Sequence, residues 1–173
     1  MSRFLVTNAT GYISLHIIDQ LLKAGHFVRG TLRDIKDQKR IKPFFKYDQI
    51  GINQLELVQA DLLEPETWNQ AVQNIDIIIH LANPSPIDRH GDEQGLIEPS
   101  VSGTLNILNA ALKSSVKRVI INSLAFTMFD PLLNNIINDD NDWDEVFKSD
   151  KLIYKNFKII LKLQLQKRKI RQD

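Results

Sequence analysis

The stretch SRFLVTNATGYISLHIIDQLLKAGH, residues 2–26, decides the fold of this chain. Residues 4–6 are an apolar run that is too short for a helix and typical of a buried strand. Small residues at 7–11 then form a tight turn, and a helix-like spacing of apolar side chains follows. A strand, a small-residue turn and a helix make up the first half of a βαβ unit. The N-terminus of such a helix offers unpaired N–H groups and a partial positive charge to a phosphate.

The helix of this unit is predicted from the spacing of its apolar residues. It begins at Tyr12, and Ile13, Ile17 and Leu21 recur every fourth residue with Leu22 alongside, so these four residues define the predicted apolar face. Gly25 stands where the helix is expected to end.

Length and composition restrict the class of protein. The 173 residues suffice for one domain, and the formal net charge of +1 gives no reason to expect nucleic acid or a membrane as a partner. The absence of cysteine excludes disulfides, cysteine nucleophiles and thiolate metal sites. Neither a secretory signal nor a membrane-spanning apolar run is visible. We therefore expect a cytoplasmic protein.

Four more strands alternate with helices along the rest of the chain. Apolar runs predict strands at residues 27–32, 55–60, 76–82 and 116–122. Helical patterns are found at 35–47, where Pro43 interrupts the helix, at 64–73, and in the segment after residue 87. This alternation predicts an α/β fold, a Rossmann-like doubly wound parallel sheet with the strand order 3-2-1-4-5.

The second predicted strand ends at Arg33-Asp34, a position with chemical meaning in dinucleotide folds. An acidic side chain here binds the ribose 2′-OH of NAD, whereas an arginine accommodates the 2′-phosphate of NADP. Arg33 is followed by Lys36, Lys39 and Arg40, a basic cluster that attracts phosphate. We therefore favour NADP and expect contacts from Arg33 and Arg40, while Asp34 leaves NAD open.

Several of these motifs resemble those of the extended short-chain dehydrogenase/reductases. This group includes the nucleotide-sugar epimerases, the dihydroflavonol reductases and the cinnamoyl-CoA reductases. Residues 7–14, TNATGYIS, are similar to the glycine turn T-G-A-T-G-Y-I-G of the family. The resemblance implies that the turn contacts the cofactor through Thr7, Asn8, Gly11, Tyr12 and Ile13.

The chain departs from the family's glycine turn at two positions. Asn8 replaces the first glycine; asparagine tolerates positive φ, but its side chain points into room that the pyrophosphate needs. Ser14 replaces the third glycine and adds a hydroxyl where helix and strand pack closest. An ordinary strand-turn-helix without a ligand remains the alternative.

Two further segments resemble cofactor-binding motifs of the family. Residues 60–62 match A-D-L, which implies that Asp61 and Leu62 border the adenine, although Asp61 could serve only as a turn residue. His80 and Ala82 belong to a match with V-I-H-x-A-S, which implies that Ala82 lies under the nicotinamide-side ribose. We interpret His80 as a hydrogen-bonded core residue rather than a catalytic base.

The long central helix of the family is matched by residues 92–114, DEQGLIEPSVSGTLNILNAALKS. Its expected function is packing, and a homodimer through it stays open. Its predicted apolar face consists of Leu96, Val101, Leu105, Leu108 and Leu112.

The catalytic residues of the family map onto the last third of the chain. Tyr154 and Lys158 form Y-x-x-x-K, and on a helix the ammonium would lie beside the phenol and lower its pKa. The tyrosine then acts as general acid in carbonyl reduction or as base in alcohol oxidation. The family's substrate-orienting serine falls on Leu124, and Ser123 would replace it only if the backbone bulges. A chance surface pair is the alternative for Tyr154 and Lys158.

The remaining segments are interpreted without a ligand. The acidic run at 138–142 lacks the glycine and glutamate of a calcium loop, and we expect no metal site. We assign residues 1–160 to an NAD(P)-binding Rossmann domain and 161–173 to a basic C-terminal tail. The substrate half that follows in the family is expected to be missing.

These observations lead to a prediction with alternatives. We expect an NADP-dependent oxidoreductase of the extended short-chain type that acts on a small-molecule carbonyl or alcohol. Asn8, Ser14 and Leu124 motivate the first alternative, a non-catalytic nucleotide-binding or scaffold module. A partner-binding domain with a basic tail and an empty crevice is a further alternative.

Overall fold

The structure, a computed structural model, describes residues 1–49, 53–83, 94–122, 129–130 and 135–136. Its elements are, in chain order, β1 (Arg3–Val6), α1 (Tyr12–Lys23), β2 (Phe27–Leu32), α2 (Gln38–Ile41), a 3-10 turn (Lys42–Phe44), α3 (Phe45–Gln49), β3 (Leu55–Gln59), α4 (Pro65–Ala71), β4 (Ile77–His80), α5 (Gln94–Leu112), β5 (Arg118–Ile121), β6 (Phe129–Asp130) and β7 (Asn135–Ile136). Within the described ranges, no helix has the length and apolar character needed to cross a membrane.

Five parallel strands form one sheet in the order β3-β2-β1-β4-β5. The predicted α/β fold and strand order are therefore confirmed. The five strands lie where the apolar runs predicted them, with ends that differ by up to two residues. The strand order reverses between β1 and β4, which makes the space beyond their carboxyl ends the topological switch point of the sheet.

The chain divides into two compact units. The first consists of Met1–Pro84 and Ser102–Asn122 and contains the five-stranded sheet. The second consists of Ser85–Val101 and Ser123–Asp173, and its described parts include the antiparallel pair of β6 and β7. The predicted boundary at residue 160 lies outside the described residues and stays a prediction.

Apolar side chains cover both faces of the five-stranded sheet. Leu5 and Val6 are neighbours on β1, so their side chains point to opposite faces. Leu5 packs with residues of α4 and α5, including Trp68 and Ile107. Val6 packs with α1 and the segment at 42–49. Helices on both faces are the arrangement that a doubly wound sheet requires.

The inward face of α1 differs from the predicted one. Its buried residues are Ser14, Ile18 and Leu22, whereas Ile13 is 53% exposed. The prediction is thus wrong for Ile13, whereas Leu22 is buried as expected and Ile17 and Leu21 are partly buried against the same core cluster. At its first turn the helix passes close to β1, and the small side chain of Ser14 points inward there. The Ser14 hydroxyl donates to the Thr7 carbonyl at 3.3 Å, which fixes this rotation of the helix.

Part of the predicted apolar face of α5 is also wrong. Leu108 is buried as expected, but Leu112 is 68% exposed. Ile107, Ala110 and Ala111 point into the core instead. The alanines face inward because their small side chains let the helix approach the sheet.

Helical structure after β2 begins at Gln38 rather than at the predicted residue 35, and it continues to Gln49, two residues beyond the predicted end. The Asp34 carboxylate accepts from the backbone N–H of Lys36, a local turn that delays the helix. Asp37 then caps α2 by accepting from the N–H groups of Lys39 and Arg40. The predicted interruption at Pro43 is confirmed, since the 3-10 turn lies there.

Asp76 ties three strands together at the amino end of the sheet, away from the switch point. Its carboxylate accepts from the backbone N–H of Arg3 and from the Lys117 ammonium, both at 2.9 Å. The hydrogen bond from Lys117, followed by that from the Arg3 backbone, lowers the pKa of Asp76. The register of β1, β4 and β5 is therefore set by polar contacts at this end.

Candidate functional site

Predicted contact residues from four separate segments lie at the carboxyl edge of the sheet. The turn at 7–11 follows β1, Arg33 follows β2, Asp61 and Leu62 follow β3, and Ala82 follows β4. In open parallel sheets, ligands bind outside the carboxyl ends of the strands at the switch point. This edge is therefore the candidate functional site.

Asn8 adopts the left-handed conformation that the turn requires, with φ 55°. The carbonyl of Asn8 accepts from Gly11 N–H at 2.8 Å, and Ala9 N–H donates to the Thr31 carbonyl at 2.9 Å, so the turn is joined to β2. The Asn8 amide nitrogen lies 2.7 Å from the point that a Cβ on Gly11 would occupy. The asparagine thus keeps the turn, and its amide fills the space over Gly11.

The first turn of α1 leaves its backbone N–H groups without a capping side chain. Gly11 is the N-cap residue and has no side chain to accept from them. Unpaired N–H groups at a helix N-terminus bind anions. Tyr12 and Ile13 are exposed there, and the Tyr12 ring contacts the His16 ring with the centroids 4.8 Å apart.

Arg33 presents an exposed guanidinium at the end of β2. Its side chain makes no hydrogen bond or ion pair with any residue that the structure describes. Arg40, by contrast, pairs with Asp37 at 3.3 Å. Arg33 is therefore available to an anion, while Arg40 would have to share its charge with Asp37.

The loop after β3 is held from both sides. The Asp61 carboxylate accepts from Leu63 N–H at 2.9 Å, and the Asp61 carbonyl accepts from the Trp68 indole at 2.6 Å. The Leu62 carbonyl accepts from the Asn106 side chain at 2.8 Å. Asp61 is thus at least a turn residue, and the Leu62 position is set by α5.

Gly103 and Asn106 of α5 also hold this loop, and neither is among the residues predicted from the sequence. A Cβ on Gly103 would lie 2.7 Å from the Leu62 Cβ, so only glycine allows the loop to touch the helix there. A glycine inside a helical pattern signals such a close approach. The glycine is visible in the sequence, but the sequence does not show that Leu62 is the residue it contacts.

A buried hydrogen-bond network lies behind the edge, between β1 and β4. Thr7 Oγ1 accepts from the N–H groups of Leu81 and Ala82, both at 2.8 Å. These bonds use both lone pairs of the hydroxyl, so its proton goes to His80 Nδ1, 3.0 Å away. His80 Nε2 therefore carries the ring proton and faces Thr104 Oγ1 at 3.4 Å.

The burial of this network confirms that His80 is a core residue. His80 is 4% exposed, and burial lowers its pKa to about 4, so the ring is neutral at pH 7. Thr7 is 0% exposed. Its side chain lies behind the crevice and contacts other protein groups there.

The predicted catalytic residues Tyr154, Lys158 and Ser123 lie outside the described residues, as does Leu124. Their roles stay predictions. Within the described ranges, no group of three His, Asp or Glu side chains could hold a metal ion.

Comparison with known sequences matches this chain to a dehydrogenase family and to reductases. A sequence model of the 3-beta hydroxysteroid dehydrogenase/isomerase family matches residues 5–163. Tetraketide alpha-pyrone reductase 2 of Arabidopsis thaliana is 33% identical over 126 residues, 71% of this chain and 39% of its own length. Cinnamoyl-CoA reductase CAD2 of Medicago truncatula is 38% identical over 119 residues, 68% of this chain and 36% of its own length.

Solved structures share the fold. Vestitone reductase from alfalfa superposes with a TM-score of 0.67 at 24% identity, over 96% of this chain and 52% of that protein. The yeast methylglyoxal/isovaleraldehyde reductase Gre2, complexed with NADPH, gives 0.74 at 22% identity, over 99% of this chain and 54% of that protein. The chain thus spans about half the length of these structures and 36–39% of the two curated relatives.

The low pKa of His80 predicts a pH dependence of stability. Between about pH 4 and 6.5, the unfolded chain binds a proton at this histidine that the folded chain does not. The free energy of unfolding should therefore fall as the pH is lowered from 6.5 towards 4, by up to about 1.4 kcal/mol per pH unit. Urea unfolding at a series of pH values measures this slope.

The matched variants for this measurement are His80→Phe and His16→Gln. The first should flatten the slope in this pH range, and the second, which removes an exposed imidazole, should leave it unchanged. An equal slope in wild type and His80→Phe would contradict the prediction.

Proposed function

Because the chain belongs to the 3-beta hydroxysteroid dehydrogenase/isomerase family, we propose that it is an NADP-dependent oxidoreductase. Hydride would pass between the nicotinamide and a carbonyl or alcohol carbon of a small molecule. The names of similar proteins, which are reductases of such molecules, support this reaction class. The proposal includes a homodimer and a cytoplasmic location. A measurement of the mass in solution tests the homodimer.

The observation that carries the cofactor assignment is the exposed guanidinium of Arg33 at the carboxyl end of β2, on the same edge as the uncapped N-terminus of α1. The N–H groups of α1 would hold the pyrophosphate, with Tyr12 and Ile13 beside it. Arg33 would hold the 2′-phosphate, since an arginine at this position accommodates it. Asp61 and Leu62 would border the adenine, and Ala82 the second ribose.

The chemical step would fall to residues outside the described ranges. Bound NADPH supplies the hydride. Tyr154 would donate a proton to the carbonyl oxygen, and Lys158 would lower the pKa of the phenol and hold the nicotinamide-side ribose. Ser123 would orient the carbonyl.

A second function, a non-catalytic nucleotide-binding or scaffold module, is favoured by one observation. The Asn8 amide fills the space over Gly11, which the pyrophosphate would need. An asparagine that stays in place would weaken dinucleotide binding and leave the fold intact.

The first prediction from the proposed function concerns the choice between NADPH and NADH. Saturating NADPH, at about a hundred times its dissociation constant, should stabilise the wild type by about 2.7 kcal/mol, a rise of several degrees in Tm. NADH should raise Tm less. In Arg33→Ala the difference between the two cofactors should disappear, because the 2′-phosphate loses its cation. Lys23→Ala, at the far end of α1, is the control and should keep the difference.

Differential scanning fluorimetry measures these shifts. If Arg33→Ala still preferred NADPH as strongly as wild type, the assignment of Arg33 would be wrong. If neither cofactor raised Tm of the folded wild type, the second function would replace the first.

The second prediction tests Asn8. Asn8→Gly should lower the dissociation constant for NADPH, because glycine keeps the positive φ and clears the space over Gly11. Asn74→Gly is a matched control, since Asn74 also has a positive φ, 58°, but lies in the turn after α4. Isothermal titration calorimetry gives both constants; an equal effect of the two substitutions would show that the amide is no obstacle.

The third prediction tests catalysis. Tyr154→Phe should abolish NADPH oxidation by carbonyl substrates and leave NADPH binding intact, because the substitution removes only the phenol hydroxyl group that would donate the proton. Turnover is followed with methylglyoxal, a dihydroflavonol and cinnamoyl-CoA, the substrate classes in the names of similar proteins. Unchanged turnover in the variant would exclude Tyr154 as the acid.

A further inference from the structure

The turn at 7–11 divides the carboxyl edge of the sheet into two sides. β1 lies between β2 and β4, so a dinucleotide that uses the whole edge must cross the end of β1. The β2 side carries Arg33, Asp61 and Leu62, and the β4 side carries Ala82. The side chains over the turn therefore decide whether one ligand can reach both sides.

The Asn8 amide occupies the space through which the pyrophosphate of a dinucleotide would pass. In such turns the second glycine, here Gly11, lets the backbone approach the pyrophosphate because it has no Cβ. The amide nitrogen and the Cγ of Asn8 lie 2.7 and 3.3 Å from the point that a Cβ on Gly11 would occupy. For a phosphate that bridges two nucleosides, the turn is therefore as crowded as if residue 11 had a side chain.

The β2 side of the edge does not depend on Asn8. Arg33 is exposed there. The loop at 60–63 is held by hydrogen bonds from α4 and α5 rather than from the turn. A nucleotide that lies on this side and ends at its 5′-phosphate does not have to pass the asparagine.

The Asn8 side chain also has a donor to offer to a ligand that ends at the turn. It is exposed, and its amide makes no hydrogen bond with the residues that the structure describes. The amide N–H groups stand beside the uncapped N-terminus of α1. A terminal phosphate has three free oxygens that can accept from these donors, whereas a bridging phosphate must continue through the space that the amide occupies.

We propose that Asn8 makes this edge a site for adenosine 2′,5′-bisphosphates, which are adenine nucleotides with a single ribose, and that it disfavours the full dinucleotide. The inference rests on the proposed function of the edge as a nucleotide site and names the ligand class that fits the obstructed turn. Arg33 holds the 2′-phosphate, and the Asn8 amide and the N–H groups of α1 hold the 5′-phosphate. The wild-type chain therefore binds 2′,5′-ADP at least as tightly as NADPH.

Isothermal titration calorimetry on the 173-residue chain compares 2′,5′-ADP with NADPH. Asn8→Gly keeps the positive φ and should move the two dissociation constants in opposite directions. NADPH should bind more tightly, because the space over Gly11 is cleared. The 2′,5′-ADP should bind about fivefold more weakly, because its phosphate loses a hydrogen-bond donor. The variant should therefore prefer NADPH.

Two further variants separate the donor from the obstacle. Asn8→Asp keeps the shape of the side chain and tolerates positive φ, but it replaces the donor with a negative charge. It should weaken 2′,5′-ADP binding without tightening NADPH binding. Asn74→Gly changes the other asparagine with a positive φ, in the turn after α4, and should leave both constants within about twofold of wild type. Circular dichroism checks that each variant is folded.

Each outcome of these titrations supports or overturns the inference. A wild-type chain that binds 2′,5′-ADP at least as tightly as NADPH, with opposite changes in Asn8→Gly, supports it. A wild-type preference for NADPH, or changes of the same sign for both ligands in Asn8→Gly, overturns it and leaves the NADP-dependent oxidoreductase standing. A wild-type chain that binds neither ligand overturns the proposed function and this inference together.

Discussion

The buried hydroxyl group of Thr7 extends the pairing of β1 with β4, the two strands on either side of the switch point, beyond the last bonds of their backbone ladder. The turn after β1 and the loop after β4 each leave the sheet with backbone N–H groups that have lost their strand partners. Leu81 and Ala82 recover theirs through Thr7 Oγ1. A buried N–H left unpaired costs about 1–3 kcal/mol, so a residue without a hydroxyl at position 7 would destabilise this edge of the sheet.

Features that depend on hydrophobic periodicity and on turn chemistry could be predicted from the sequence. The apolar run at 76–82 is typical of a strand buried on both faces, and the strand lies there at Ile77–His80. Asn8 replaces a glycine and takes the positive φ that asparagine tolerates. The edge at which the predicted contacts meet follows from strand order alone, since parallel strands end on the same side.

Features that depend on distance between segments could not be obtained in the same way. In α1 the apolar period places Ile13 on the inward face, whereas Ser14, which donates to the Thr7 carbonyl, is the buried residue of the first turn. In α5, apolar character favoured Leu112, whereas the close approach to the sheet selects alanines. The Asn106 side chain donates to the Leu62 carbonyl, a contact between distant segments that no pattern in the sequence indicates. Each of these misses involves a small or polar side chain at a tight contact.

The contact between Gly103 and Leu62 has a consequence for how the sequence can change. The two residues are far apart in the chain, yet a Cβ on the helix would stand 2.7 Å from the leucine Cβ. A larger residue at 103 is acceptable only after the loop residue has become smaller or the loop has moved. The two positions are therefore expected to co-vary among homologues. Substitutions at them in the laboratory should be epistatic, so that the order in which they are introduced decides which intermediates fold.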